Sequence, residues 1–182
     1  MSSRFAFDLE SPDTRRNLPP RVTIGRDELE TTADVLLKIL GLALFHRDRL
    51  QLGAPLHNDN IPFVPDLVRL NYELHPVLWV ECGDVTAAKL DKLAVKVPEA
   101  EIWVMKRSPA ELEPLLRDMT KLKLRRKRYH LLAFDPGMFD EALASFAPRN
   151  KLFWSHSTFN PPALQFDFNG LWFDCEFQVT KF

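Results

Sequence analysis

The sequence predicts an α/β (α+β) fold, a mixed β-sheet flanked by helices, and three observations predict it. From Leu67 to Phe146 short apolar stretches alternate with stretches of helical period, the pattern of strands joined through helices. Before them, Phe5, Phe7 and Leu9 alternate with Arg4, Asp8 and Glu10, as in a half-buried strand. After them, Lys151 to Phe182 is rich in Phe and Trp and carries Asn169-Gly170, a strong hairpin signal.

The elements follow in order. Arg4 to Glu10 is a strand, Pro12 to Pro20 a polar turn region, and Arg21-Val22-Thr23-Ile24 the returning strand of a hairpin. Asp27-Glu28-Leu29-Glu30 reads as a helix start, with Asp27 as cap and Glu30 three residues on. Leu36, Leu37, Ile39, Leu40, Leu42, Ala43 and Leu44 make that helix apolar on most sides, hence deeply buried. Gly53 and Pro55 end the unit, and Leu56 to Pro65 is a loop. Leu67 to Tyr72 is a strand. Val77 to Cys82, nearly all apolar, is a central strand covered on both faces. Helices over Thr86 to Val95, Pro109 to Leu122 and Phe139 to Phe146 alternate with strands over Glu101 to Met105 and Tyr129 to Phe134. The aromatic tail is strands, with turns at Asn160-Pro161-Pro162 and Asn169-Gly170.

Composition bounds the function. A chain of 182 residues, 46% hydrophobic, suffices for one domain with a real core, expected over residues 1–182. Its net charge of -1 gives no whole-protein attraction to nucleic acid or an acidic membrane, so an anion-binding surface has to be local. Two cysteines make neither a disulfide framework nor a structural zinc site, which suits a reducing cytoplasm. Met1 to Phe5 lacks a signal-peptide apolar stretch, and Val35 to Phe45 is interrupted by Lys38 and too short to span a bilayer, so no membrane is expected.

One constellation points at chemistry. Asp66 follows Pro65, Glu81 ends the most apolar strand, and Lys89 and Lys92 lie on the helix after it. Hydrolysis of a phosphodiester needs a metal that neutralises phosphate and activates water. Mg²⁺ is held by one or two carboxylates, water and substrate oxygens. Asp66 and Glu81 could supply those carboxylates. Lys89 or Lys92 could steady developing charge at the C-terminal end of the strand, where α/β sites lie. The same residues also admit a plain reading: Asp66 as a turn residue, Glu81 as a strand-end acid facing a helix N-terminus, the lysines as a solvated face. Glu30 likewise is either part of a capping box or a further acid of the site.

Glu30-Thr31 opening a long apolar helix, Pro65-Asp66, and Leu78-Trp79-Val80-Glu81-Cys82-Gly83 followed by Leu90-Asp91-Lys92 resemble the YaeQ family of small bacterial proteins. The hairpin before the first helix and the aromatic tail match as well, so the likeness covers nearly the whole chain. That family is similar in fold to the PD-(D/E)XK nucleases. The resemblance implies a restriction-endonuclease-like core with an N-terminal hairpin and a strand-rich C-terminal part. It implies Asp66 and Glu81 as ligands of Mg²⁺ or Mn²⁺, Glu30 as the additional acid, and a divalent-metal-dependent, nuclease-like phosphodiesterase. Nucleases of this fold usually carry a lysine two residues after the strand acid, where this chain has Gly83. By the resemblance, a lysine of the following helix takes that role, Lys92 matching best and Lys89 next. The alternative is a non-catalytic binding or scaffold protein that keeps the nuclease fold.

The remaining candidates are weaker. Lys121, Lys123, Arg125, Arg126, Lys127 and Arg128 form the densest basic run, able to contact a nucleic-acid backbone or to serve as a solvated face. His46, His57, His75, His130 and His156 have no paired metal spacing. Cys82 points to the strand face opposite Glu81 and reads as a packed thiol. Trp79, Trp103, Trp154 and Trp172 are expected in the core.

Overall fold

A computed structural model describes residues 3–182. Strands β1 (Ser3–Glu10) and β2 (Arg21–Arg26) form the expected hairpin, and helix α1 (Thr32–Phe45) follows. The middle of the chain runs β3 (Leu50–Leu52), β4 (Leu67–Leu70), β5 (Pro76–Cys82), α2 (Ala87–Lys96), β6 (Glu101–Lys106), α3 (Pro109–Lys121), β7 (Tyr129–Ala133) and α4 (Pro136–Ala144). Four strands close the chain: β8 (Arg149–Phe159), β9 (Pro162–Phe168), β10 (Leu171–Glu176) and β11 (Gln178–Lys181).

The α+β expectation is borne out, but the strands form two mixed sheets where one was expected. The first has the order β10-β9-β8-β1-β2, the second β11-β7-β6-β5-β4-β3. The cause is long-range pairing that no local pattern shows. β1 lies parallel to β8, from Ala6↔Arg149 to Glu10↔Phe153, which joins the N-terminal hairpin to the C-terminal strands. β11 then returns to pair antiparallel with β7.

Helix α1 explains why the sheets stack. Eleven of its residues are buried, and its cluster includes Phe7, Trp154 and Phe166 of the first sheet and Leu78, Val80 and Met105 of the second. Helices α2 and α3 cover the other face of the second sheet, with Trp79, Ile102, Val104 and Tyr129. Side chains alternate along a strand. Leu78, Val80 and Cys82 therefore face α1, whereas Trp79, and Glu81 with it, faces α2. β5 is the central strand its apolar run predicts.

Several boundaries shift for local reasons. Helix α1 starts four residues late, because Thr31, not Asp27, is its cap. Thr31 Oγ1 accepts from the Asp34 N–H at 3.3 Å, and Asp34 Oδ2 accepts from the Thr31 N–H at 2.8 Å. Glu30 thus stands just outside the helix, not on it, and its carboxylate accepts the Asp27 N–H at 3.0 Å. Helix α4 begins at Pro136, since Asp135 accepts from the Met138 N–H at 2.8 Å. β3, only three residues long, escaped the periodicity reading. Trp172 is 54% exposed, against the expectation of a core position.

The basic run sits at the N-terminal end of β7. Arg128 does structural work there: its guanidinium donates to Pro98 O at 2.7 Å and Val97 O at 3.2 Å, satisfying carbonyls past the C-terminus of α2. Arg126 lies over the Phe182 ring at 4.0 Å. Arg125 and Lys127 are exposed. Arg128→Ala should therefore cost about 1–3 kcal/mol in a urea melt, as the loss of charged hydrogen bonds does. Arg125→Ala should leave the midpoint unchanged. Among the described residues, no helix is long and apolar enough to cross a membrane.

Candidate functional site

The end of β5 gathers charge. Glu81 is 3% exposed, unusual for a carboxylate. Its Oε1 accepts from Trp79 Nε1–H at 2.8 Å, and its Oε2 accepts from Lys89 Nζ, also at 2.8 Å. The Trp79 contact is a consequence of strand geometry, because residues two apart share a face. Lys89 reaches down from the first turn of α2, where Thr86 caps the helix. Its ammonium also lies 5.7 Å from the centre of the Phe63 ring.

Asp66 enters from the neighbouring strand. β4 pairs antiparallel with β5, Leu67 opposite Val80, so the residue before Leu67 falls beside Glu81. Asp66 Oδ2 accepts from the Cys82 N–H at 2.7 Å, extending the ladder with a side chain. Its Oδ1 lies 3.3 Å from Lys38 Nζ. Lys38 also binds Glu30, so it bridges two of the three expected acids. A cleft of roughly 420 Å³ opens here, lined by Glu30, Lys38, Gly53, Pro65 and Asp66 among others.

Glu30⁻, Lys38⁺, Asp66⁻, Glu81⁻ and Lys89⁺ therefore run from the α1 side of the sheet to the α2 side. Lys38 joins Glu30 to Asp66, and Lys89 pairs with Glu81 on the adjoining strand. Lys92 touches none of these acids: it is exposed on α2 and makes no side-chain hydrogen bond or ion pair among the described residues. Of the two lysines weighed, Lys89 is the one that touches an acid. Lys38 was visible in the sequence only as a charge interrupting an apolar run.

Burial dominates the electrostatics. It pushes the Asp66 carboxyl above its usual range, with the Cys82 N–H and Lys38 pulling the other way. Burial likewise raises Glu81, against Lys89 and Trp79, and the neighbouring Asp66 charge adds to the rise. The Cys82 thiol is pushed well above its ordinary value by burial and by Asp66, which makes it a packed group and no nucleophile.

The raised carboxyls fix a sign. Between the ordinary carboxylate range and the raised folded value, the native state holds more protons than the unfolded chain, so these groups weaken the fold as pH rises through that window. Glu81→Gln carries no charge to desolvate, but its amide has one acceptor oxygen where the carboxylate has two, so one of the Trp79 Nε1–H and Lys89 donors loses its acceptor. Relative to the parent chain its melting temperature should therefore climb as the pH rises through the raised range and fall back as the pH drops, read by calorimetric melts across pH.

Among the described residues no group of three or more His, Cys, Asp or Glu side chains is set to hold a metal ion. The two expected acids stand side by side on adjoining strands, Asp66 lining the cleft with Glu30 and Glu81 turned toward Lys89. Each carboxylate has about four lone-pair sites, and Asp66 and Glu81 each spend two of them on the contacts above.

Compared with known proteins, the chain matches no family model and no curated protein. Solved structures do share its fold. The YaeQ protein from Xanthomonas axonopodis pv. citri superposes with a TM-score of 0.74 at 18% identity, over 100% of this chain and 99% of that one. The YaeQ protein from Pseudomonas syringae gives 0.73 at 16% identity, over 99% of this chain and 96% of that one. The chain has the fold of these proteins along its whole length, as the resemblance implied.

Proposed function

We propose that the chain is a YaeQ-type protein acting as a divalent-metal-dependent phosphodiesterase of the nuclease-like kind, with Asp66 and Glu81 as its metal-holding acids. The observation that carries the reading is the pair of mostly buried carboxylates at adjoining strand ends, each fixed by one N–H donor and each touched by one lysine. Such a pair has little reason to stay buried for stability alone, because removing charges from water costs more than surface pairing returns.

The donor set fits a hard cation. Two carboxylates with lone pairs to spare suit Mg²⁺ or Mn²⁺, which keep several waters and bind through one or two acids. Glu30 is held by Lys38 and the Asp27 N–H, which leaves it beside the pair and not within it. A bound ion would neutralise phosphate and lower the pKa of a water. The chain's own residues do the rest. Trp79 and the Cys82 N–H lock the two carboxylates in orientation. Lys38 ties Glu30 to Asp66. Lys89 is placed to steady negative charge that grows next to Glu81. Arg125, Arg126, Lys127 and Arg128 stand at the opposite end of the parallel strands. In this reading a nucleic acid meets them only away from the cleaved bond. Two unpaired thiols suit a reducing cytoplasm.

The test is cleavage of plasmid DNA and of RNA in Mn²⁺. Activity should appear in the parent chain and fall at least about a hundredfold in Glu81→Gln, the scale expected when a charge-stabilising group is lost. A second reading, a non-catalytic binding or scaffold protein that keeps the fold, draws on one observation: every oxygen of both acids already has a partner in the protein. Cleavage that is absent in the parent chain, with Mn²⁺ or Mg²⁺, favours that reading.

A further inference from the structure

Lys106 ends β6 and is 6% exposed, in a position where a lysine is seldom found without a partner. Its side chain makes no hydrogen bond among the described residues. Its ion pair is with Asp84, whose Oδ1 is 3.8 Å from Nζ, beyond hydrogen-bond reach, and whose side chain is fully exposed. Among the described residues, the buried side-chain nitrogens and oxygens without a partner reduce to Arg128 Nε, so the Lys106 ammonium itself meets solvent. The stem is buried and the tip emerges at the turn from β5 to α2.

Register places that tip. β5 and β6 are parallel, with Glu81 opposite Val104 and Cys82 opposite Met105, so Lys106 falls beside Gly83. Lys106 pairs with Ala133, and Val104 and Ala133 both belong to the cluster under α2 and α3. Lys106 thus projects from the same sheet face as Glu81. It stands two residues further along, about 7 Å, and one strand over, about 5 Å. The other lysines of the site are engaged: Lys38 by Glu30 and Asp66, Lys89 by Glu81.

We infer that Lys106 is the substrate-contacting cation of this site, its ammonium donating to a non-bridging oxygen of a phosphodiester bound over the Gly83 turn. This rests on the phosphodiesterase reading and names the group that meets the substrate's charge. A free ammonium on a buried stem has lost most of its rotamer freedom beforehand, which favours anion binding. Asp84 is the competitor that the phosphate displaces.

The test is binding without metal. The dinucleotide thymidylyl-thymidine is titrated into ¹⁵N-labelled protein in EDTA, and the amide shifts of Gly83 and Asp84 are followed. In the parent chain they should move and saturate. Lys106→Met should weaken binding at least about tenfold, the least a charged hydrogen bond is worth, with Lys106→Arg within about threefold of the parent. Asp84→Asn should bind more tightly. A parent chain whose amides do not move, or a folded Lys106→Met that binds as well as the parent, overturns the inference. Should Lys106→Met fail to fold, Asp84→Asn decides: binding no tighter than the parent overturns it. Mn²⁺ titration of the same samples separates the two readings. Mn²⁺ binding without dinucleotide binding sinks this inference alone. Dinucleotide binding without Mn²⁺ binding sinks the metal reading alone.

Discussion

Asp66→Ala is expected to abolish Mn²⁺ binding and to destabilise the fold at once. Its two oxygens serve different masters: Oδ2 accepts the Cys82 N–H at 2.7 Å, and Oδ1 pairs with Lys38 at 3.3 Å. Truncation leaves the Cys82 N–H without an acceptor at the end of a central strand and leaves Lys38 with Glu30 only. An unsatisfied buried donor costs about 1–3 kcal/mol. The burial that raises the Asp66 carboxyl works the other way, since a neutral side chain carries no charge to desolvate. The loss should therefore fall toward the lower end of that range. Asp66→Asn separates the two effects: its amide oxygen can still accept from Cys82, so most of the stability should return in a urea melt while ion binding does not.

Gly83→Ala should be strongly destabilising. Gly83 has φ +82, a conformation that costs L-residues roughly 1–2 kcal/mol. A Cβ there would lie 2.3 Å from Asp34 Oδ1. Asp34 cannot swing aside freely, because its Oδ2 holds the Thr31 N–H and Oγ1 in the capping box of α1. Releasing that box costs a further 0.5–2 kcal/mol or so. Together the two effects predict a loss of about 1.5–4 kcal/mol in chemical denaturation. Gly170→Ala offers a control. It too has a positive φ, but nothing lies within 4 Å of its added methyl, so it should show the backbone cost alone. The comparison also accounts for the glycine that follows the strand acid. The chain passes so close to the capped start of α1 that no side chain fits, a lysine included.

How much of this was legible follows from the range of the forces involved. Strand β5 could be read because burial on both faces leaves an unbroken apolar run, and the hairpins because Asn169-Gly170 and the alternation at Phe5, Phe7 and Leu9 are local. The stacking of two sheets was not legible, since it depends on β1 meeting β8 across nearly the whole chain. At the site, Asp66 and Glu81 were found from their places beside a turn and at a strand end. Lys92 was preferred over Lys89 by resemblance, yet one turn of helix decides which lysine faces the sheet, and Lys89, in the first turn, is the one that does. Thr31 displaced Asp27 as the cap because the box with Asp34 satisfies two N–H groups reciprocally. Lys38 needed the fold: only the packing of α1 against β4 and β5 puts its ammonium between Glu30 and Asp66.

The central claim is that Asp66 and Glu81 together hold a divalent ion. Isothermal titration of Mn²⁺ into the parent chain, Asp66→Asn and Glu81→Gln tests it most directly. One ion should bind to the parent chain and none to either variant, with all three proteins folded by circular dichroism. Absence of binding to the parent chain, or undiminished binding to both variants, contradicts it.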